Sequence, residues 1–374
     1  MTLTADAPAH RPVGAPIEDT AAARRAFYRL RVAAVESLTE DAVAVTFEVP
    51  DELALLFDFA AGQSLTLRRI VDGVEHRRSY SICAPAGARP RVGVRELPGG
   101  GLFSTWLTRE VRVGDLVEVQ PPTGSFAVDP TAAGRHLCIA AGSGITPMLA
   151  IASTVLRNPG AEVTLLYGNR TTSSVMFVEE LADLKNAHGP GLNLVHVLSR
   201  EPRDVELFSG RLDADRLRRL LPTMVSLAAV DHVWLCGPLG MVRDARDVLA
   251  ELGVPGERVH AELFYVDEPP PPVHHADAAL EGEVSQVRLV LDGRRTEAAM
   301  PRAKTILDAA GAVRNDLPFA CKGGVCGTCR AKVTSGEVEM RRNYALDAEE
   351  VRAGFVLTCQ SYPRSDQVTV DFDA

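Results

Sequence analysis

Cys321-Lys322-Gly323-Gly324-Val325-Cys326-Gly327-Thr328-Cys329, with a fourth cysteine at Cys359, is the stretch on which the reading of this chain turns. The spacing C-x4-C-x2-C plus a distant cysteine is that of thiolates around a plant-type [2Fe–2S] cluster. Two iron ions bridged by two sulfides need four thiolates in a small volume, and one tightly wound loop can supply three. Gly323, Gly324 and Gly327 read as positions of positive φ that bring the backbone close to the sulfides. Their amides and the Thr328 hydroxyl are then placed to donate hydrogen bonds to sulfur. Zinc sites favour paired C-x2-C units, and only one such pair occurs here. The loop therefore predicts an iron–sulfur site with Cys321, Cys326, Cys329 and Cys359 as ligands.

At 374 residues the chain exceeds one ordinary domain and predicts two or three. A formal net charge of −9 argues against nucleic acid or an anionic membrane as a partner, since both attract basic surfaces. Outside the cluster pattern Cys83, Cys138 and Cys236 stand alone, so no disulfide framework is expected and the cytoplasm is the expected location. No basic stretch followed by an apolar core opens the chain, so no signal peptide is expected. Leu137–Leu156 is uncharged over about the length of a membrane span. Gly142-Ser143-Gly144 and Thr146-Pro147 interrupt it, which predicts a buried strand, a tight turn and a buried helix instead.

Residues 1–25 lack periodicity and read as a disordered leader. Over residues 26–130, alternation at Tyr28–Val35, Ala42–Val49, Ser64–Ile70, Val74–Ile82, Arg91–Arg95 and Asp115–Gln120, with one helix near Phe103–Glu110, predicts a small closed β-barrel. Two of its stretches carry chemistry. In Arg78-Ser79-Tyr80-Ser81 an arginine can pair with phosphate, a tyrosine can lie against a flat heterocycle, and a serine can reach a ring nitrogen. Such a tetrapeptide alone is also ordinary surface strand. Gly99-Gly100-Gly101-Leu102-Phe103-Ser104 opens the helix, where free amides make an anion site; a plain glycine turn capped by Ser104 is the simpler alternative.

Residues 131–266 change period. Strands at His136–Ala141, Val163–Tyr167, Leu192–Leu198 and Asp231–Cys236 alternate with helices ending near Leu156 and at Phe177–Ala187, Ala214–Leu221 and Leu239–Leu252. This predicts a doubly wound parallel α/β domain with its ligand at the strand ends. The turns there are Gly142 to Thr146, Gly168-Asn169-Arg170 and Cys236-Gly237-Pro238, and none is G-x-G-x-x-G. Arg170 stands where a 2′-phosphate would need a cation, or is a surface arginine. Cys236 is otherwise a small buried hydrophobe. A proline run within 267–282 reads as a linker, and 283–374 as an α+β domain carrying the cluster loop.

Nicotinamide gives two electrons together and an iron–sulfur cluster takes one at a time, so a flavin is expected between them. The first two domains are similar to the ferredoxin–NADP reductase family, in which R-x-Y-S and G-x-x-S bind the flavin. The resemblance implies FAD held by Arg78, Ser79, Tyr80, Ser81, Gly101, Phe103 and Ser104. It implies NAD(P)H at Gly142, Gly144, Thr146, Pro147, Arg170, Cys236, Gly237 and Pro238, and catalytic roles for Ser81, Cys236 and Glu262. The third domain looks like a β-grasp ferredoxin. Arg78–Cys83, Ala140–Ile151, Tyr167–Arg170, Pro318–Cys326, Asn343–Leu346 and Thr369–Asp373 further resemble the reductase subunits of phenylacetyl-CoA 1,2-epoxidases of phenylacetate catabolism, with reductases of steroid 9α-hydroxylases sharing the same order.

The expected function is electron flow from NADPH, or NADH, through FAD and the cluster to a separate oxygenase. The chain has neither a Rieske C-x-H nor the paired E-x-x-H of a di-iron site, so oxygenation is not assigned to it. A flavin/iron–sulfur redox sensor is the reading from another class, although no helix-turn-helix or basic patch supports it. Lys322 and Val325 are expected to lie where the oxygenase docks.

Overall fold

In the computed structural model, which describes residues 17–97, 99–264 and 283–374, the first alternating segments form a six-stranded antiparallel sheet. A short helix α1 (Ala21–Arg25) precedes β1 (Tyr28–Thr39), β2 (Ala42–Glu48), β3 (Ser64–Val71), β4 (Val74–Ser81) and β5 (Arg91–Arg95); α2 (Leu102–Arg109) and β6 (Leu116–Thr123) follow. The order is β4-β3-β6-β1-β2-β5, and an antiparallel bridge between Ile82 and Val92 joins the two ends into a barrel. Every second residue points inward: Leu30 and Val32, Val45 and Phe47, Leu65 and Leu67, and Val117 and Val119 share one core. The end of the expected leader is ordered. Thr20 caps α1 through the Ala23 amide, and the Tyr28 hydroxyl donates to the Ala23 carbonyl.

The next unit is a parallel sheet of β7 (Arg135–Ala141), β8 (Glu162–Asn169), β9 (Leu192–Leu198), β10 (His232–Cys236) and β11 (Val259–Glu262), in the order β11-β10-β7-β8-β9. Helices α3 (Ile145–Val155) and α4 (Val178–His188) cover one face, and α5 (Ala214–Met224) and α6 (Leu239–Glu251) the other. Two apolar cores result. One includes Met148, Ile151, Leu165 and Leu181; the other includes Leu137, Leu166, Leu217 and Val242. The uncharged run is thus interior strand and helix. Among the described residues no helix is long and apolar enough to cross a membrane. Strand β11 is an addition to the sequence reading, because its four half-buried residues show no alternation.

The last unit contains β12 (Val284–Leu291), β13 (Arg294–Pro301), α7 (Ile306–Ala310), β14 (Arg330–Ser335), β15 (Val338–Met340), α8 (Ala348–Arg352), β16 (Phe355–Leu357), β17 (Ser361–Pro363) and β18 (Gln367–Asp371). Its main sheet runs β13-β12-β18-β14-β16, with β12 and β18 parallel at the centre. Asp292 and Gly293 turn the β12–β13 hairpin, both at positive φ as a mirror-image turn requires. Helix α7 ends at Ala310, with Gly311 as its C-cap. The expected linker falls outside the described residues up to 282.

Barrel and parallel sheet lock together through β5. Arg91 forms a double hydrogen bond to Glu180 at 2.8 and 2.9 Å. Gly93 lies so near the parallel-sheet unit that a Cβ would stand 2.6 Å from Thr146 Cγ2 and 2.8 Å from Phe177 Cζ. Arg95 donates to the Ser174 carbonyl at 2.6 Å.

Candidate active site

The strand order of the parallel sheet reverses between β7 and β10, the switch point at which such sheets bind ligands. The turns after these strands nearly touch. Gly144 has no room for a side chain, since a Cβ would lie 2.1 Å from the Cys236 carbonyl oxygen. Gly142 takes a positive φ of 57°, and the Tyr167 hydroxyl donates to its carbonyl at 3.0 Å. Thr146 and Pro147 are buried, and the Thr146 hydroxyl is spent on the Ser143 carbonyl at 3.0 Å. They brace the turn from below, whereas Gly142 and Gly144 shape the crevice by lacking side chains. On the other side Gly237 and Pro238 lead into α6, whose first amides carry no side-chain cap, a natural anion site.

Arg170 is exposed just beyond the end of β8, able to reach a charged ligand. Its neighbour Asn169 is a residue that motif reading passed over. Asn169 is 8% exposed, yet beside the Tyr167 hydroxyl its amide makes no well-formed hydrogen bond at either end. A buried amide pays for desolvation unless something bonds to it. Its place at the carboxyl end of β8 makes a bound nucleotide the fitting partner. The sequence signal was the turn itself, in which only the charged member stood out.

On the barrel side, β4 ends in Arg78-Ser79-Tyr80-Ser81. Arg78 is exposed, while Ser79 is held by Thr66 on β3 at 3.2 Å. The Tyr80 ring lies 6.3 Å from Phe103 and tilted to it. Phe103 is buried, so it braces Tyr80 and does not offer a face of its own. Gly101 forms the N-cap of α2 without a side-chain cap, leaving the first amides of that helix free. Ser104 does not cap the helix; its hydroxyl accepts from the Leu97 amide at 3.2 Å. A Cβ on Gly101 would stand 2.7 Å from that hydroxyl. Free amides, an exposed guanidinium and a braced ring fit the phosphates and the flat ring system of FAD.

Between these two surfaces the Ser81 hydroxyl donates to Glu262 at 2.8 Å. Glu262 pairs in register with Cys236 across β10 and β11. Burial pushes the Glu262 carboxyl up to about 7, with the Ser81 hydroxyl pulling the other way. The Cys236 thiol is fully buried and is pushed well above its ordinary range by burial and by the Glu262 charge. It therefore stays protonated near neutral pH. Glu262 is the group here that can hold or release a proton near neutral pH.

In the third unit the four expected cysteines come together, and all seven cysteines are free. Among the described residues no three metal-binding side chains converge on one point. The thiols instead lie as two neighbouring couples, Cys321 beside Cys326 and Cys329 beside Cys359. Two couples suit two irons with two thiolates each. Amides surround the sulfurs: Gly323 N–H reaches Cys321 at 3.3 Å, the Gly324 amide faces Cys359, and the Thr328 hydroxyl faces Cys326. Gly324 and Gly327 take positive φ as expected, but Gly323 does not; Lys322 does so instead, at 52°.

The cluster loop faces inward. Val325 is 8% exposed and joins one of the two apolar cores of the parallel-sheet unit, against which Cys321 and Tyr344 also pack. This corrects the expectation that Val325 lies on an oxygenase-facing surface, because the parallel-sheet unit covers it. Lys322 is exposed and forms an ion pair with Asp308 at 2.9 Å.

Known proteins share this arrangement. Residues 29–128 match the oxidoreductase FAD-binding domain, 138–247 the oxidoreductase NAD-binding domain, and 289–364 the 2Fe-2S iron-sulfur cluster binding domain. The chain is 43% identical over 353 residues to a subunit of the 1,2-phenylacetyl-CoA epoxidase of Escherichia coli (strain K12), covering 93% of this chain and 98% of that one. It is 34% identical over 354 residues to the ferredoxin reductase component of 3-ketosteroid-9-alpha-monooxygenase of Rhodococcus rhodochrous, covering 92% and 96%. The solved structure of phthalate dioxygenase reductase superposes with a TM-score of 0.58 at 25% identity, over 94% of this chain and all of that one. The chain thus belongs to the family of ferredoxin–NADP reductase-like oxidoreductases with a fused C-terminal [2Fe–2S] domain that includes this 1,2-phenylacetyl-CoA epoxidase component, and it carries electrons from NAD(P)H through FAD and the cluster towards an oxygenase.

Proposed function

We propose that the oxygenase served by this reductase is a 1,2-phenylacetyl-CoA epoxidase and that NADPH is its preferred donor. The supporting observation for the partner is the 43% identity to the epoxidase component over nearly its whole length, against 34% for the steroid relatives. Arg170 supports NADPH, as an exposed cation beside the crevice. The division of labour is part of the same reading. Residues 26–130 hold FAD, 131–266 hold the nucleotide, and 283–374 hold the cluster in a cytoplasmic protein.

FAD supplies the change from paired to single electrons that neither nicotinamide nor the cluster performs alone. Within the chain, Gly142 and Gly144 let a pyrophosphate approach the backbone, and the first amides of α6 face it. The first amides of α2 and Arg78 receive the flavin's phosphates, and Tyr80 backs its ring system. Ser81 orients Glu262, which takes up or releases the proton that accompanies each two-electron reduction. The test mixes purified protein, NADPH and phenylacetyl-CoA with the oxygenase components of the epoxidase, and in parallel with a 3-ketosteroid 9α-monooxygenase and its steroid. Epoxide in the first mixture is expected. Product only in the second would reassign the partner.

A further inference from the structure

Two arginines stand side by side on β4, and only one belongs to the flavin-binding reading. Arg78 is exposed; Arg77, on the opposite face, is 5% exposed. A guanidinium is expensive to bury and persists where it is paired and stacked. Arg77 is both. Its Nε bonds Glu75 on the same strand. Its Nη1 donates to the carbonyl of Leu317 in the third unit at 3.3 Å. The guanidinium lies over the Phe319 ring at 4.0 Å on one side and near Phe27 at 5.1 Å on the other. Leu317-Pro318-Phe319-Ala320 is the segment that leads directly into Cys321. One buried side chain therefore ties the strand of Arg78 and Tyr80 to the entry of the cluster loop.

We propose that Arg77 is a positioning residue that seats the cluster loop against the flavin-binding strand and so fixes the route by which electrons enter the cluster. The proposal rests on the reading of Arg78–Ser81 as the flavin strand. Each passage across this contact oxidises the reduced flavin by one electron and reduces the cluster by one, with no bond made or broken. Two passages account for the pair supplied by one NADPH. Two further contacts hold the same arrangement, the Arg25–Asp292 ion pair and the packing of Val325 into an apolar core of the parallel-sheet unit. Neither of them joins β4 to the cluster loop.

The test uses the full-length holoprotein with Arg77→Gln on the barrel side, Phe319→Ala on the cluster side, Arg77→Lys as the conservative change, and the Arg77→Gln/Phe319→Ala double variant. Backbone hydrogen exchange over residues 317–322, measured before any NADPH is added, reads the contact without turnover. Rapid mixing with NADPH then gives the ratio of cluster reduction to flavin bleaching, with the low-temperature EPR signal as a check on the cluster itself. Exchange is expected to quicken in both single variants, and the ratio to fall below that of the parent, because electron transfer weakens steeply as the cluster moves away from the flavin. The EPR line shape stays as in the parent. Arg77→Lys retains part of the ratio, and the double variant loses little beyond either single change, because both remove one contact. Unchanged exchange and an unchanged ratio in Phe319→Ala, or full additivity in the double variant, overturns the proposal. Protein that purifies without flavin would instead defeat the flavin-strand reading, while the exchange result still decides whether Arg77 holds the loop.

Discussion

Replacing Glu262 by glutamine removes a proton-binding group while keeping its shape, and its effect on stability depends on pH. The folded carboxyl sits near 7 against an ordinary value of 4.5. Below about pH 4.5 it is protonated in the folded and unfolded chain alike and favours neither. Between 4.5 and 7 the folded protein keeps a proton that the unfolded chain releases, so folding stability falls as pH rises, and the loss is complete above about 7. The difference of about 2.5 in pKa corresponds to at most about 3 kcal/mol. Part of the residue's surface is open, so solvent screening brings the real figure lower. The assay is a series of urea unfolding curves for parent and Glu262→Gln between pH 5 and 8.5, followed by release of flavin fluorescence. The parent is expected to lose ground to the variant up to about pH 7 and then run parallel. Ser81→Ala removes the bond that favours the charged form, so it moves the inflection to higher pH. Curves that run parallel throughout, or a parent that gains on the variant with rising pH, would show that the carboxyl is not held neutral by burial.

Two more outcomes are expected. Gly144→Ala forces a methyl group against the Cys236 carbonyl, where 2.1 Å is available, so the two turns must part. A stability loss of about 1–3 kcal/mol is expected, the usual cost of overpacking. NADPH binding by titration should weaken with it, and normal binding would show that the crevice lies elsewhere. Arg170→Ala should raise the KM for NADPH about tenfold or more with little change for NADH, as expected when a charge-assisted bond worth about 1.5–3 kcal/mol is lost. Equal effects on both donors would remove Arg170 from recognition of the 2′-phosphate.

Much of this architecture is legible in the residues because local pattern and burial agree. Barrel strands alternate cleanly, since one face meets the core. The strands of the parallel sheet are continuous apolar runs because helices cover both faces. The cysteine loop declares itself because three ligands and the glycines between them stand in one short stretch. What stays hidden depends on partners distant in the chain. Glu262 stands out only through the family resemblance, because the four-residue edge strand that carries it shows no alternation and its hydrogen-bond partner Ser81 lies 181 residues away. Val325 looks like an exposed loop residue, and only the docking of one unit on another buries it. Arg77 reads as one more charge on a strand until Leu317 and Phe319 arrive beside it. Lys322 in place of Gly323 at positive φ is a detail of the loop's winding that spacing cannot assign.

The paired arrangement of the four loop thiols also bears on how the holoprotein is made. The ligand set divides into two couples, Cys321 beside Cys326 and Cys329 beside Cys359. Oxidation of the thiols of one couple before metal arrives would consume the ligands for one iron. Maturation is therefore a race between metal delivery and air, and damage comes in halves, one couple at a time. Iron content per flavin in a preparation should track the reducing power available before loading, and thiol reductant added before iron and sulfide should restore chains that oxidation has sealed.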